Sequence, residues 1–303
     1  MNIPFIKYSK IWLTLSAIIA IASVLALAKW GLKPGIDFTG GSLLEVSFSQ
    51  NRPAVETMNQ VLTGDLKLKD AVVQGSGTSK FIVRTNFLNE DEHQLVLKQL
   101  RDKFQTTDNT VREERFETIG AAVSKQLRTR ALWAIILVNL GIIIYITYAF
   151  RKVSYPVASW KYGALAIVAL IHDVLLVMGV FAVLGHFYGV EVDIAFVVAL
   201  LTVLGFSVHD SIVVYDRTRE NLLRHNNVSF ADTINAGLNQ TLMRSINTTM
   251  TTILTLLALY IWGGATIHNF VLALIIGFTT GAYSSIFIAT PLLVYVEKWQ
   301  RRS

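Results

Sequence analysis

Apolar residues run through this chain in blocks too long for the helices of a water-soluble core. Six windows carry enough consecutive apolar side chains to cross a hydrocarbon layer about 30 Å thick, which takes roughly 20 residues of helix. They are residues 11–28, 131–150, 162–188, 194–215, 245–262 and 269–296. The last two belong to one charge-free run over 245–296, longer than a single crossing. Trp262, Gly263 and Gly264, with His268 beyond, mark a turn that divides the run into two helices.

Between the first and second windows the pattern changes. Residues 42–48 alternate as a strand, and 54–62 form a short helical stretch after Pro53. Residues 70–73 and 80–84 are two further strands flanking a turn at Gly75, Ser76 and Gly77. Residues 91–104 carry Leu95, Leu97, Leu100 and Phe104 near helical spacing, and 110–117 supply a last strand. The order βαββαβ predicts a ferredoxin-like α+β sandwich. It contains no convergent set of histidines, carboxylates or nucleophiles, which favours a binding or mechanical role over catalysis.

Composition turns this pattern into a statement about solvent. Hydrophobic residues make up 52% of the 303 positions and charged residues only 16%, with a mean hydropathy of +0.48. Residues 31–130 hold 27 of the 48 Asp, Glu, Lys and Arg, so one water-facing domain is set within a membrane protein. The expected organisation is a first span over 1–30, an α+β domain over 31–130, and a five-helix membrane domain over 131–303 with an inner loop over 216–244. The absence of cysteine removes disulfides and thiolate chemistry. The net charge of +6 is weak evidence for nucleic acid, because membrane proteins keep excess Lys and Arg for orientation. No nucleic-acid partner, metal or cofactor is expected.

The basic residues orient the spans. With the N-terminus inside, Arg151, Lys152 and Lys161 fall in one inner loop, Arg217, Arg219 and Arg224 in a second, and Lys298, Arg301 and Arg302 at an inner C-terminus. The outer loops near 186–193 and 262–268 contain no Lys or Arg. Both termini are therefore expected in the cytoplasm and residues 31–130 outside it. Lys125, Arg128 and Arg130 lie on the outer side, but long translocated domains largely escape this rule. Lys7 and Lys10 before an apolar stretch ending in Ala26, Leu27 and Ala28 imitate a signal peptide. Its run of 18 residues exceeds the usual core of about 7 to 15, which favours a retained anchor.

Few titratable residues remain inside the spans, where each costs about 2.5–3.5 kcal/mol at a helix centre. They are His172 and Asp173 in the third window and His209 and Asp210 in the fourth. Asp173 lies 12 residues beyond Lys161, about 18 Å of helix, and Asp210 lies seven before Arg217, about 10 Å. Arg244, at the entry to the fifth span, can meet Asp210 if spans four and five pack. A carboxylate facing a movable Arg makes an ion-coupling switch; a static buried pair that fixes helix packing is the alternative. His172 need not act with Asp173, since neighbours on a helix point apart, and His209 reads as packing or a supporting donor. Asn247, Thr248, Thr249, Thr251, Thr252 and Thr255 either line a hydrated path or serve close helix contacts. Gly277 and Gly281 give a small-residue packing face, and Pro291 kinks or ends the last helix.

Three blocks resemble the SecF family. They are Gly35 to Gly41 (GIDFTGG), Gly205 to Ser211 (GFSVHDS) leading into Tyr215 to Asn221 (YDRTREN), and Gln240 to Ser245 (QTLMRS). His172 and Asp173 also fall where that family carries a His-Asp pair. The resemblance covers essentially the whole chain. It implies a subunit of the SecDF complex, related to the resistance-nodulation-division transporters, in the bacterial inner membrane. It further implies SecD and the SecYEG channel as partners, within the lipid bilayer, and an ion gradient that moves outer domains to draw unfolded secretory polypeptide from the channel.

The matching ion-coupling positions are Asp210 and Arg244, with Asp173 supporting, and His172, His209, Thr248 and Thr252 as further candidates. His209 departs from the family's usual Asn, which leaves proton and sodium open. The Asp37 to Gly41 block reads as a structural hinge: a phosphate loop needs a strand before it and a helix after it, and here the order is reversed. The competing readings are a half-transporter exporting small molecules or lipids, which would need a larger outer domain, and a static assembly subunit.

Overall fold

The computed structural model describes residues 3–50, 52–68, 70–149, 157–224 and 229–301. Arg151, Lys152 and Arg302, which were counted in the charge pattern, lie outside the described residues. The chain divides into two compact units, Pro34–Arg130 and a second made of Met1–Lys33 with Ala131–Ser303.

In chain order, helix α1 is Ser9–Trp30 and the short helix α2 is Ile36–Thr39. Strand β1, Gly41–Phe48, leads to helix α3, Val55–Gln60, which continues as a π-helical turn over Val61–Asp65. Strands β2, Val72–Ser76, and β3, Lys80–Thr85, precede helix α4, Glu90–Phe104, and strand β4, Val111–Ile119. The sheet order β2-β3-β1-β4 with antiparallel neighbours is the ferredoxin-like arrangement expected from the element order.

Alternation along β1 buries Leu44, Val46 and Phe48 on the face that meets Met58 and Leu62 from the first helical stretch and Val96, Leu97 and Leu100 from α4. Two local expectations are corrected. Gly75 and Ser76 belong to β2, so the turn begins at Gly77, where φ is +60°. Leu95 is 53% exposed, whereas Val96 and Leu97 are 3% exposed and Leu100 is fully buried. The buried face runs through His93, Val96, Leu97 and Leu100, the i, i+3, i+4, i+7 set, and Leu95 falls beside it. Asn89 starts α4 with a reciprocal capping box: its side chain accepts from Glu92 N at 2.9 Å, and its own N–H donates to Glu92 at 2.9 Å.

The glycine pair before β1 has a steric basis. Gly40 and Gly41 adopt φ of +75° and +113°, and a Cβ on Gly41 would come within 2.5 Å of the Thr85 carbonyl oxygen. This close approach next to β3 permits no side chain. The segment Ile36–Thr39 is helical.

The second unit consists of α1, α5 (Ala121–Ala149, whose first residues belong to the other unit), α6 (Ser159–Tyr188), α7 (Ile194–Arg224), α8 (Phe230–Trp262), α9 (Ala265–Ser284), a π-helical turn over Ser285–Ala289 and α10 (Thr290–Gln300). Among the described residues, six helical segments are long and apolar enough to cross a membrane. The helices overrun the apolar windows. Most of the inner loop expected over 216–244 is helical, since α7 continues to Arg224 and α8 starts at Phe230. Apolar windows measure the hydrocarbon crossing, whereas these helix ends are held by contacts beyond it. Gln240 accepts from Arg217 Nε at 2.5 Å and from Asn221 at 2.9 Å, and Thr218 packs on Gly237.

Burial separates two groups of spans. The crossings of α6, α7 and α9 to α10 bury 44%, 50% and 61% of their most apolar windows, against 17%, 11% and 17% for α1, α5 and α8. The first three make the interior, and the others present apolar faces outward. Close approach of α7 and α9 depends on the paired glycines: a Cβ on Gly277 would reach 2.1 Å from Val203, and one on Gly281 2.9 Å from Ser207. The last crossing changes hydrogen-bond period before Pro291. The Thr290 hydroxyl reaches back to the Ser285 carbonyl at 2.7 Å, and Pro291 then occupies the opening of α10, where its missing N–H costs little.

Candidate functional site

Among the described residues, two carboxylates lie within the apolar windows, and their surroundings differ. Asp173 on α6 is fully buried. Its Oδ2 accepts from Ser207 on α7 at 2.7 Å and from Ser284 at the end of α9 at 2.6 Å. Its Oδ1 lies 3.1 Å from His172 Nδ1. Three interior helices thus converge on one carboxylate. Leu170, Leu204, Val208 and Ile286 belong to one apolar cluster and Val177, Val203 and Phe278 to another, so the polar junction lies between them. His172 is buried, and its Nε2 has no hydrogen-bond partner among the described residues. The two neighbours do meet, because His172 folds back onto the adjacent carboxylate.

Asp210 on α7 is 3% exposed and faces α8. Ser245 lies 3.5 Å from its Oδ1, at the outer limit of a hydrogen bond, and Oδ2 has no partner among the described residues. Arg244 is exposed and makes no ion pair with Asp210 within 4.0 Å; its neighbour Ser245 is the residue turned toward the carboxylate. Consecutive residues of a helix point about 100° apart, so only one of the two can face α7 directly. Arg244 instead lines a cavity of about 530 Å³ together with Tyr145, Ile212, Val213, Asp216, Arg217 and Thr241. This cavity begins within one turn of Asp210 along α7.

The remaining candidates fall outside these two junctions. His209, next to Asp210 in sequence, is exposed on this chain. Thr248 and Thr252 return their hydroxyls to the carbonyls four residues back, at 2.8 and 2.9 Å, as do Thr251 and Thr255. Thr249 is the buried hydroxyl of that run, and its Oγ1 has no partner among the described residues. No group of three or more His, Asp and Glu that could hold a metal ion occurs among the described residues.

Sequence reading missed Ser207, Ser284 and Ser245. Ser207 and Ser245 stand inside the signature blocks, Ser245 one position from Arg244 and Ser207 three from Asp210, residues with stronger chemistry. Ser284 carried no local signal, since its partner is 111 positions away.

The arrangement defines a multi-pass helical membrane protein with buried carboxylates on its interior helices and one α+β domain inserted between the first two spans. The family described as protein export membrane protein SecD/SecF, C-terminal, matches residues 99–299, and the SecD/SecF GG motif matches residues 26–51. The protein translocase subunit SecF of Thermobaculum terrenum is 43% identical over 305 aligned positions, covering 97% of this chain and 94% of that protein. The protein translocase subunit SecDF of Brucella abortus is 35% identical over 97% of this chain, which spans only 37% of it. The crystal structure of SecDF from Thermus thermophilus, a translocon-associated membrane protein, superposes with a TM-score of 0.82 at 31% identity. It covers 98% of this chain, which in turn spans 39% of it. The chain belongs to the SecF family of bacterial protein translocase subunits.

Proposed function

We propose that this chain is the ion-gradient-coupled accessory subunit of the Sec translocase, working with SecD and the SecYEG channel to assist export of unfolded polypeptide. In this reading both termini lie in the cytoplasm, residues 31–130 lie outside it, and Asp210 with Arg244 carries the coupling. The observation that supports it most is the half-satisfied Asp210: a buried carboxylate at the α7/α8 crossing with an oxygen that has no partner among the described residues, close to a cavity lined by Arg244. Binding a proton or cation at that oxygen changes the field acting on Arg244 and biases the packing of α8 against α7. Each charge that crosses the membrane supplies about 2.3 kcal/mol per 100 mV, enough to shift such an equilibrium substantially. Asp173, already holding three donors, acts as the joint between interior helices that transmits the change.

The SecD assignment draws on the fused relatives, in which a chain of this type makes up little more than a third of a SecDF polypeptide. The test is export of a secretory precursor with and without an ion gradient. Asp210→Asn and Arg244→Met are expected to insert and assemble normally but lose all gradient-dependent stimulation. Full stimulation in either variant refutes the coupling assignment.

A further inference from the structure

A cavity of about 400 Å³ opens at the end of the helical unit where α1 begins, α8 begins and α10 finishes. Its lining combines Lys7, Lys10 and Lys298 with the apolar Pro4, Ile6 and Val294. Among the described residues none of the three lysines has a carboxylate within 4.0 Å. One acidic side chain, Asp232, also lines the cavity, and it is engaged by the Ser229 hydroxyl at 2.5 Å. The lining therefore keeps a surplus of positive charge. Ala231 and Asp232 belong to the first turn of the 33-residue α8, which brings the positive end of a long helix to the same place.

The walls are fixed by cross-links between distant segments. Asn239 pins the N-terminal segment from both sides, accepting from Ile3 N at 2.8 Å and donating to Ile3 O at 2.9 Å. Ser9 joins Tyr295 at 3.2 Å, tying the start of α1 to α10. Cations and apolar side chains are thus held together in one built concavity at the ends of membrane-crossing helices. Tyr8 and Trp299, next in sequence to Lys7 and Lys298, are 46% and 69% exposed, as aromatic residues at the headgroup level of a membrane are.

We propose that this cavity binds the phosphodiester headgroup of an anionic glycerophospholipid. The lysines and the α8 terminus neutralise the phosphate, while Pro4, Ile6 and Val294 receive the glycerol backbone and the first methylenes. A free phosphate would use the cations but leave the apolar wall without a partner. Basic pockets between spanning helices bind anionic headgroups by this combination, each cation near the membrane surface being worth several-fold in affinity. The site is separate from both carboxylate junctions, so its occupancy is measurable independently of ion coupling.

The test uses the purified full chain in phosphatidylcholine nanodiscs containing a minor fraction of phosphatidylglycerol, with bound lipids read by native mass spectrometry. The parent protein is expected to retain phosphatidylglycerol in preference to phosphatidylcholine. The combined Lys7→Gln, Lys10→Gln, Lys298→Gln variant is expected to lower that preference at least about tenfold. A charge-matched control, Lys29→Gln, Lys125→Gln, Lys161→Gln, is expected to keep it. Replacing the three pocket lysines by Arg should restore it, which separates charge from folding; the single Lys298→Gln variant gives a partial loss if the triple variant misfolds. Equal retention of the two lipids, or equal loss in the control, overturns the proposal. Displacement of phosphatidylglycerol by millimolar inorganic phosphate assigns the cavity to a free phosphate and overturns it as well.

Discussion

Asp173 and Asp210 are both buried aspartates inside spanning helices, yet their surroundings assign them different work. Asp173 draws hydroxyls from two other helices and the neighbouring imidazole, so its burial is compensated and the junction joins α6, α7 and α9. Among the described residues, Asp210 has one long contact to Ser245 and an oxygen without a partner. An unpaired polar atom in a low-dielectric interior is costly, whereas a fully bonded group specifies packing. The lesson is that the number of donors around each charge, more than the charge itself, separates a structural joint from a site poised to bind a proton or cation.

The largest test of this contrast acts on the packing that creates the Asp173 junction. Gly281→Leu puts a side chain where even a Cβ would lie 2.9 Å from Ser207, forcing α7 and α9 apart. The expected result is a loss of about 3 kcal/mol or more in unfolding stability, or failure to accumulate in the membrane. Asp173→Ala leaves two serine hydroxyls without their acceptor and should cost about 2–4 kcal/mol in detergent unfolding. Asp210→Ala in the same assay should cost less than about 1 kcal/mol, because it strands only the long Ser245 contact. Equal losses at the two positions would remove the distinction. Ser284→Ala should cost about 0.6–1.7 kcal/mol, the range for interhelical hydrogen bonds in membranes, and Ser245→Ala should be close to neutral.

The α+β domain supplies the smallest effect and a comparison in water. Glu45 on β1 holds Lys80 on β3 at 3.1 Å, and that hydrogen bond raises the Lys80 ammonium above its ordinary range. A raised folded value means that the contribution is fully present below the unfolded value of 10.5 and is lost as pH rises through the folded one. Because Lys80 is 39% exposed, solvent screening keeps the effect small. Lys80→Met should therefore lower stability slightly at neutral pH, where the contribution is present, and flatten the alkaline decline so that the two profiles converge at high pH, as followed by denaturant unfolding.

How much of this was legible along the chain depended on the range of the interaction. The six crossings and the βαββαβ order follow from local periodicity, since partition into hydrocarbon and alternation on a sheet are decided within about twenty residues. On α4, Leu95 and Leu97 are two positions apart and point about 200° from each other around the helix, so only one of them can share the buried face with Leu100, and sequence spacing alone does not say which. The packing role of Gly277 and Gly281 was readable from their separation, and its partners Val203 and Ser207 were not.

The same division runs through the site. Residue type and apolar context were enough to single out Asp173 and Asp210, because a charge within an apolar window is costly wherever the helix turns, and Arg244 stood out as the cation at the entry to the fifth window. Which of them is satisfied depended on helices brought together from distant parts of the chain: Ser284 reaches Asp173 across 111 positions, while Arg244 turns aside and Ser245 faces Asp210. Burial costs are written locally, in composition. Compensation of those costs is a property of rotation and crossing between helices, and so it emerges only when the chain is folded.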